Sequence, residues 1–123
     1  MLVYDQQVYT RQVKVRLASI DAPERRQSFG TRSRQSLAEI CHRQQATVTP
    51  AGRDRYGRTV GEVVCNGVPA GPEQVRRGMA WVYVKYAPRR SPLYQLEAEA
   101  RAASLGLWHD PAPTPPWEYR HPR

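Results

Sequence analysis

Asp21 and Glu24 stand three residues apart across Pro23, and Arg16 lies five positions upstream of Asp21. Two carboxylates offer hard oxygen ligands, and a guanidinium donates paired hydrogen bonds to a phosphate. Together these residue types suit a divalent cation and a phosphate held side by side. Pro23 has a fixed φ, lacks an N–H and biases Ala22 towards extended backbone, so a strand arriving here should stop in a stiff acidic corner. The alternative is a solvated strand-to-helix turn with Glu24 as a first-turn helix acid, and this stretch alone does not separate the two.

A second stretch, Asp54-Arg55-Tyr56-Gly57-Arg58-Thr59, reads as a turn entering a strand and supplies another arginine. Here Asp54 is expected to cap the turn rather than bind metal, because Asp hydrogen-bonds the backbone just beyond it. The combination of Arg16, four residues, Asp21-Ala22-Pro23-Glu24 and a downstream Asp-Arg-Tyr-Gly-Arg resembles the staphylococcal nuclease-like family. Further matches come in order: Gln74 to Trp81, Glu97 to Arg101, and Gly106-Leu107-Trp108. The resemblance runs from about Val13 to Trp108.

It implies Asp21 as metal ligand together with the carbonyl of Ala22, Ca2+ as the cofactor, Glu24 as general base, and Arg16 and Arg58 as phosphate clamps. The chemistry is consistent with the residue types. A phosphodiester repels hydroxide until its charge is neutralised, a carboxylate can accept the proton of the attacking water, and a planar arginine fork suits the equatorial oxygens better than lysine. DNA and RNA are the implied substrates, with 3′-phosphate products. The resemblance also places nucleotide contacts at Tyr56 and Tyr86. Arg55 and Lys85 beside them are candidates to follow a nucleic-acid backbone while bases stack on the rings, without sequence preference. For each tyrosine the alternative is a half-buried loop residue. One departure counts against full activity: the family's Asp-Gly-Asp-Thr, which supplies a calcium-ligating aspartate, is absent from this sequence, and Asp5 is the only upstream acid. The alternative function is therefore a nucleic-acid-binding module with weak or no catalysis.

The elements that must position these residues can be read from periodicity. Val13, Val15 and Leu17 alternate with Lys14, Arg16 and Ala18, so Val8 to Ala18 reads as the return strand of a hairpin begun by Met1 to Tyr4, with Asp5 to Gln7 as its turn. Phe29, Ser33, Leu37, Ile40 and Cys41 share a helical stripe, which predicts a helix from about Phe29 to His42 with Ser28 or Thr31 as cap. Gln45 to Pro50 reads as a strand, Thr59 to Cys65 as another, and Asn66-Gly67 as a tight turn. Pro72 to Arg77 suits a short helix ended by Gly78, Met79 to Val84 a strand, and Pro92 to about Leu105 a last helix stopped by Gly106. This is an α+β pattern with three helices, for which the resemblance implies a five-stranded OB-type β-barrel whose first strand is missing here. The expected organisation is one nuclease-like domain over 1–108 and a Pro-rich segment over 109–123, extended, with Trp117 packed back onto the body.

With 123 residues, 19 Lys and Arg against 11 Asp and Glu, and a formal charge of +8, the chain is one basic domain suited to a polyanionic partner. No apolar run is long enough to span a membrane and no targeting signal opens the sequence. A monomer is expected, with dimer formation through an unpaired strand edge as the alternative. His42, His109 and His121 have no ligating spacing and are expected at the surface. Cys41 and Cys65 are either two buried thiols or a bridge. The frequent export of family members tilts the reading to the bridge, which would close a loop of about two dozen residues and contribute about 3 kcal/mol.

Overall fold

The computed structural model describes residues 14–122. The Met1 to Tyr4 strand, the Asp5 turn and the start of the return strand lie outside them. The described residues fold as an α+β domain: β1 (Val15–Leu17), β2 (Ile20–Asp21), α1 (Gly30–Cys41), β3 (Ala46–Arg53), β4 (Thr59–Cys65), β5 (Val68–Pro69), α2 (Ala70–Arg76), β6 (Trp81–Val82), α3 (Leu93–Ala102), a 3-10 turn (Gly106–His109) and α4 (Pro116–Arg120). No described helix is long and apolar enough to cross a membrane.

The strand leading into the acidic corner is broken in two, which its alternating pattern does not reveal. Ser19 adopts φ 65°, turning the chain so that β1 and β2 join different sheets. In one, β1 runs parallel to β4, Val15 beside Thr59 and Leu17 beside Gly61, while β3 pairs antiparallel with β4 on its other side and β5 pairs with the end of β4. In the other, β2 pairs antiparallel with β6, Asp21 opposite Trp81. Among the described residues the strands thus form two small sheets rather than one closed barrel, and the helices number four rather than three. The fourth arises in the Pro-rich segment expected to be extended. Pro116 sits at the start of α4, where its missing N–H removes nothing the helix needs.

Two packing clusters centre on the sheets. Ile40, Cys41, Ala46, Val48, Val63, Cys65 and Ala70 pack between α1 and the larger sheet, where Cys41 and Cys65 form a disulfide with Cα atoms 5.2 Å apart. Ile20, Val75, Ala80, Val82 and Leu93 join α2 and α3 to the smaller sheet. A third, Trp81, Ala100, Leu107 and Trp108, is covered by Trp117. The apolar stripe of α1 carries polar side chains of its own: Ser33 and Ser36 are buried beside Gln74 of α2, itself 2 % exposed. Ser36 donates to Gln74 Oε1 at 2.5 Å and Gln74 donates to the Ser33 carbonyl at 3.0 Å. Ser33 donates to the Met79 carbonyl at 2.8 Å. Buried polar groups stabilise only when paired in this way, and here they fix the register of α1 on α2.

Neither Ser28 nor Thr31 caps α1. Phe29 occupies the cap position with φ 67° and makes no side-chain cap bond. Gly78 closes the end of α2 as expected, at φ 73°. It also packs backbone to backbone on Gly106, whose neighbour Leu107 donates its N–H to the Gly78 carbonyl at 2.8 Å. A Cβ on Gly78 would lie 2.2 Å from the Leu105 carbonyl oxygen.

Candidate nuclease site

The acidic corner is built by local backbone bonds. Gln27 N–H donates to the Glu24 carbonyl at 2.8 Å and Gly30 N–H to the Gln27 carbonyl at 2.9 Å, while the Gln27 side chain accepts from Glu24 N–H at 3.0 Å. Gly30 must be a glycine for the corner to close: a Cβ there would meet the Glu24 carbonyl oxygen at 2.1 Å. Asp21, opposite Trp81 at the end of β2, is 6 % exposed. Ala22 is exposed and Pro23 buried. Asp21 and Glu24 are close enough to share one guanidinium, that of Arg120 on α4. Arg120 donates to both Asp21 oxygens at 3.1 and 2.5 Å and to Glu24 Oε1 at 2.7 Å. The hydrogen bond to Asp21, and that to Glu24 after the opposing effect of burial, hold the Arg120 pKa above its ordinary value.

Arg16 projects from β1 towards an aromatic group, its guanidinium 5.2 Å from the Tyr83 ring centroid and 6.0 Å from that of Tyr86. Lys85 reaches the same Tyr86 ring at 5.3 Å. Tyr83 in turn stacks on Trp117 with centroids 5.3 Å apart and planes 7° from parallel. Trp117 precedes Arg120 by one helical turn, so Arg16, the tyrosines and the acidic pair are neighbours around α4.

Arg58 stands at the start of β4, immediately before Thr59, which pairs with Val15. The two arginines therefore enter from adjacent strands of one sheet. Asp54 organises the Arg58 end. Its Oδ1 accepts from the N–H groups of Tyr56 and Arg58, each at 2.9 Å, and its Oδ2 from Arg58 Nε at 2.7 Å. Burial pulls the Asp54 carboxyl upward, but the Arg58 and Tyr56 hydrogen bonds outweigh it and leave the pKa below the usual value. This is the turn-capping role read from the sequence, with the added function of orienting Arg58. Tyr56, 75 % exposed, lies under Arg55 and Arg58 at 5.8 and 5.7 Å. The candidates thus fall into two cationic-aromatic groups, Arg16 with Lys85 and Tyr86, and Arg55 and Arg58 with Tyr56.

A sequence model described as "Staphylococcal nuclease homologue" matches residues 14–110. The chain belongs to the staphylococcal nuclease family. It is 46 % identical over 118 residues to the "Micrococcal nuclease" of Shigella flexneri, covering 88 % of this chain and 68 % of that protein. It is 38 % identical over 111 residues to an "Uncharacterized endonuclease" of Haemophilus influenzae, covering 89 % and 61 %. A "Staphylococcal-like nuclease CAN1" of Arabidopsis thaliana is 34 % identical over 116 residues, 94 % of this chain but 36 % of that longer protein.

In this nuclease-family chain, reading the sequence misses two participants, Arg120 and Tyr83. Arg120 lies 99 residues from Asp21 in a segment whose prolines hide a helical turn. The available signal was Pro116 followed by Trp117 and, one turn later, Arg120. The three histidines are at the surface as expected. As a cation site, the corner offers two carboxylates beside the exposed residue Ala22, and its acceptance of a guanidinium shows that it suits positive charge. Among the described residues no third His, Cys, Asp or Glu joins it. The donor set fits a hard cation that draws its remaining ligands from water or substrate.

Proposed function

We propose that this chain is a calcium-dependent endonuclease that hydrolyses phosphodiester bonds of DNA and RNA with little sequence preference. The observation that carries the reading is the match of residues 14–110 to the staphylococcal nuclease family, with Asp21 and Glu24 brought to one corner of the fold and relatives that include a protein named micrococcal nuclease. Asp21 and the Ala22 carbonyl would hold Ca2+, which when bound supplies positive charge against the phosphate. Glu24 takes the proton of the attacking water. Arg16 and Arg58 bind the equatorial oxygens, where charge accumulates in the transition state. Tyr56 and Tyr86 offer faces to bases, with Arg55 and Lys85 along the backbone. The reading takes the two sheets as parts of one barrel of the oligonucleotide-binding type, with residues 1–108 as the nuclease-like domain and 109–123 as a segment laid against it.

A plasmid-nicking assay with calcium and with chelator tests this. Cleavage in calcium alone is expected; equal cleavage in both removes the metal from the reading. The second reading, a nucleic-acid-binding module, is favoured by the engagement of both carboxylates with Arg120. It is selected if DNA is bound with a steep salt dependence but not cut in either buffer.

A further inference from the structure

Among the described residues Arg120 makes three side-chain hydrogen bonds, and all of them go to the two carboxylates assigned to cation binding and proton transfer. A guanidinium donating to both oxygens of Asp21 at 3.1 and 2.5 Å leaves that carboxylate little to offer a metal ion. The third bond, at 2.7 Å, goes to Glu24 Oε1, so the same guanidinium also occupies the proposed base. The segment that delivers Arg120 is itself anchored. Pro116 is buried, and the Thr114 carbonyl accepts from the Gln27 side chain at 2.5 Å. Trp117 stacks on Tyr83 and meets Trp81 edge-on at 5.5 Å. Stacked and T-shaped aromatic pairs add attraction beyond that of burial, so the arginine is held by a docked element and not by charge alone.

We propose that residues 114–120 form an intramolecular latch, in which Arg120 occupies the Asp21–Glu24 pair in place of a divalent cation and must leave before the cation can bind. This rests on the calcium reading above. The two occupants satisfy the same negative charge, so each weakens the other by the same factor. A resident arginine reduces apparent cation affinity by the fraction of time the latch is open. It keeps the acidic pair from repelling itself when no cation is present, and it couples cation binding to release of Trp117 from Tyr83.

The test is calcium titration by calorimetry on the full chain, its Arg120→Gln variant and its Trp117→Phe variant, with tryptophan emission followed in parallel. Arg120→Gln is expected to bind calcium about tenfold more tightly than the parent, a change of ~1.4 kcal/mol. The gain should vanish when Asp21→Asn is added. Calcium should shift the tryptophan emission of the parent, and Trp117→Phe should reduce that shift to what Trp81, its edge-on neighbour, contributes. If Arg120→Gln is poorly folded, Trp117→Ala, which loosens the segment without touching either acid, should raise calcium affinity in the same direction. Equal, measurable affinity in the parent and in both loosened variants overturns the latch and leaves the calcium reading standing. No binding in any of them overturns both.

Discussion

At the scale of single residues, the candidate site depends on groups whose chemistry is not interchangeable. Glu24 can accept a proton and its amide counterpart cannot, so Glu24→Gln is expected to lower turnover by roughly a hundred- to ten-thousandfold with little change in DNA affinity. Steady-state kinetics beside a binding isotherm separate the two. Arg58 is oriented by Asp54 Oδ2 at 2.7 Å and would present the rest of its fork to a phosphate. Arg58→Lys retains the charge but loses the planar pair of donors, and the expected outcome is a similarly severe fall in kcat. Near-parental rates in either variant would remove that residue from the mechanism. Asp54 was legible from the turn formers around it because its partners lie two and four residues away. Arg120 was not, because nothing within its own neighbourhood in sequence names its partners.

At the scale of elements, the site depends on how tightly α1 closes on the acidic corner and how α2 is pinned. Gly30→Ala would drive a Cβ into the Glu24 carbonyl, 2.1 Å away. The backbone has to give, at a cost of about 1–3 kcal/mol. Thermal melts should show that loss together with a fall in cleavage, since the residue displaced is the proposed base. On α2, Glu73 receives Arg76 Nε at 2.8 Å and Arg77 Nε at 2.8 Å. The Arg76 hydrogen bond chiefly, opposed by burial and assisted by Arg77, depresses its pKa from 4.5 to about 2. A depressed carboxylate contributes stability that is fully present above its unfolded pKa and is lost as the pH falls through the folded one. The melting-temperature difference between the parent and Glu73→Gln should therefore be constant above about pH 4.5 and shrink towards pH 2. A difference unchanged across that range would show that the ion pairs contribute nothing. Helical stripes gave α1 and α3 to within a few residues. The buried Ser36–Gln74 bond did not show in them, because a stripe records which residues face inward and not which polar groups meet there.

At the scale of the molecule, the Cys41–Cys65 bridge ties the end of α1 to the end of β4 across a separation of 24 residues. In the chain-entropy account, closing such a loop contributes about 3 kcal/mol. Reduction is expected to lower the denaturation midpoint by a corresponding amount without abolishing nucleic-acid binding, as checked by denaturant titration with and without reductant. The charge of +8 favours a polyanion throughout, but only folding brings Arg16 of β1 to the Tyr86 ring beside Lys85, whereas Arg55 and Arg58 meet Tyr56 within one turn of the chain.

The sequence by itself determined what depends on neighbours along the chain. Pro23 sets the corner, Asp54 caps its turn, Gly78 takes the left-handed position, and the ordered motifs fix the family. Short-range sterics and hydrogen bonds suffice for the first three, and motif order along the chain for the last. Tertiary structure alone decided what depends on distant segments meeting. Ser19 splits one apparent strand between two sheets, because pairing partners and not alternation assign a strand to its sheet. Trp117 finds Tyr83, and Arg120 reaches an aspartate 99 residues away. A long-range ion pair leaves no periodicity to read, since its energy comes from proximity that only the folded chain creates.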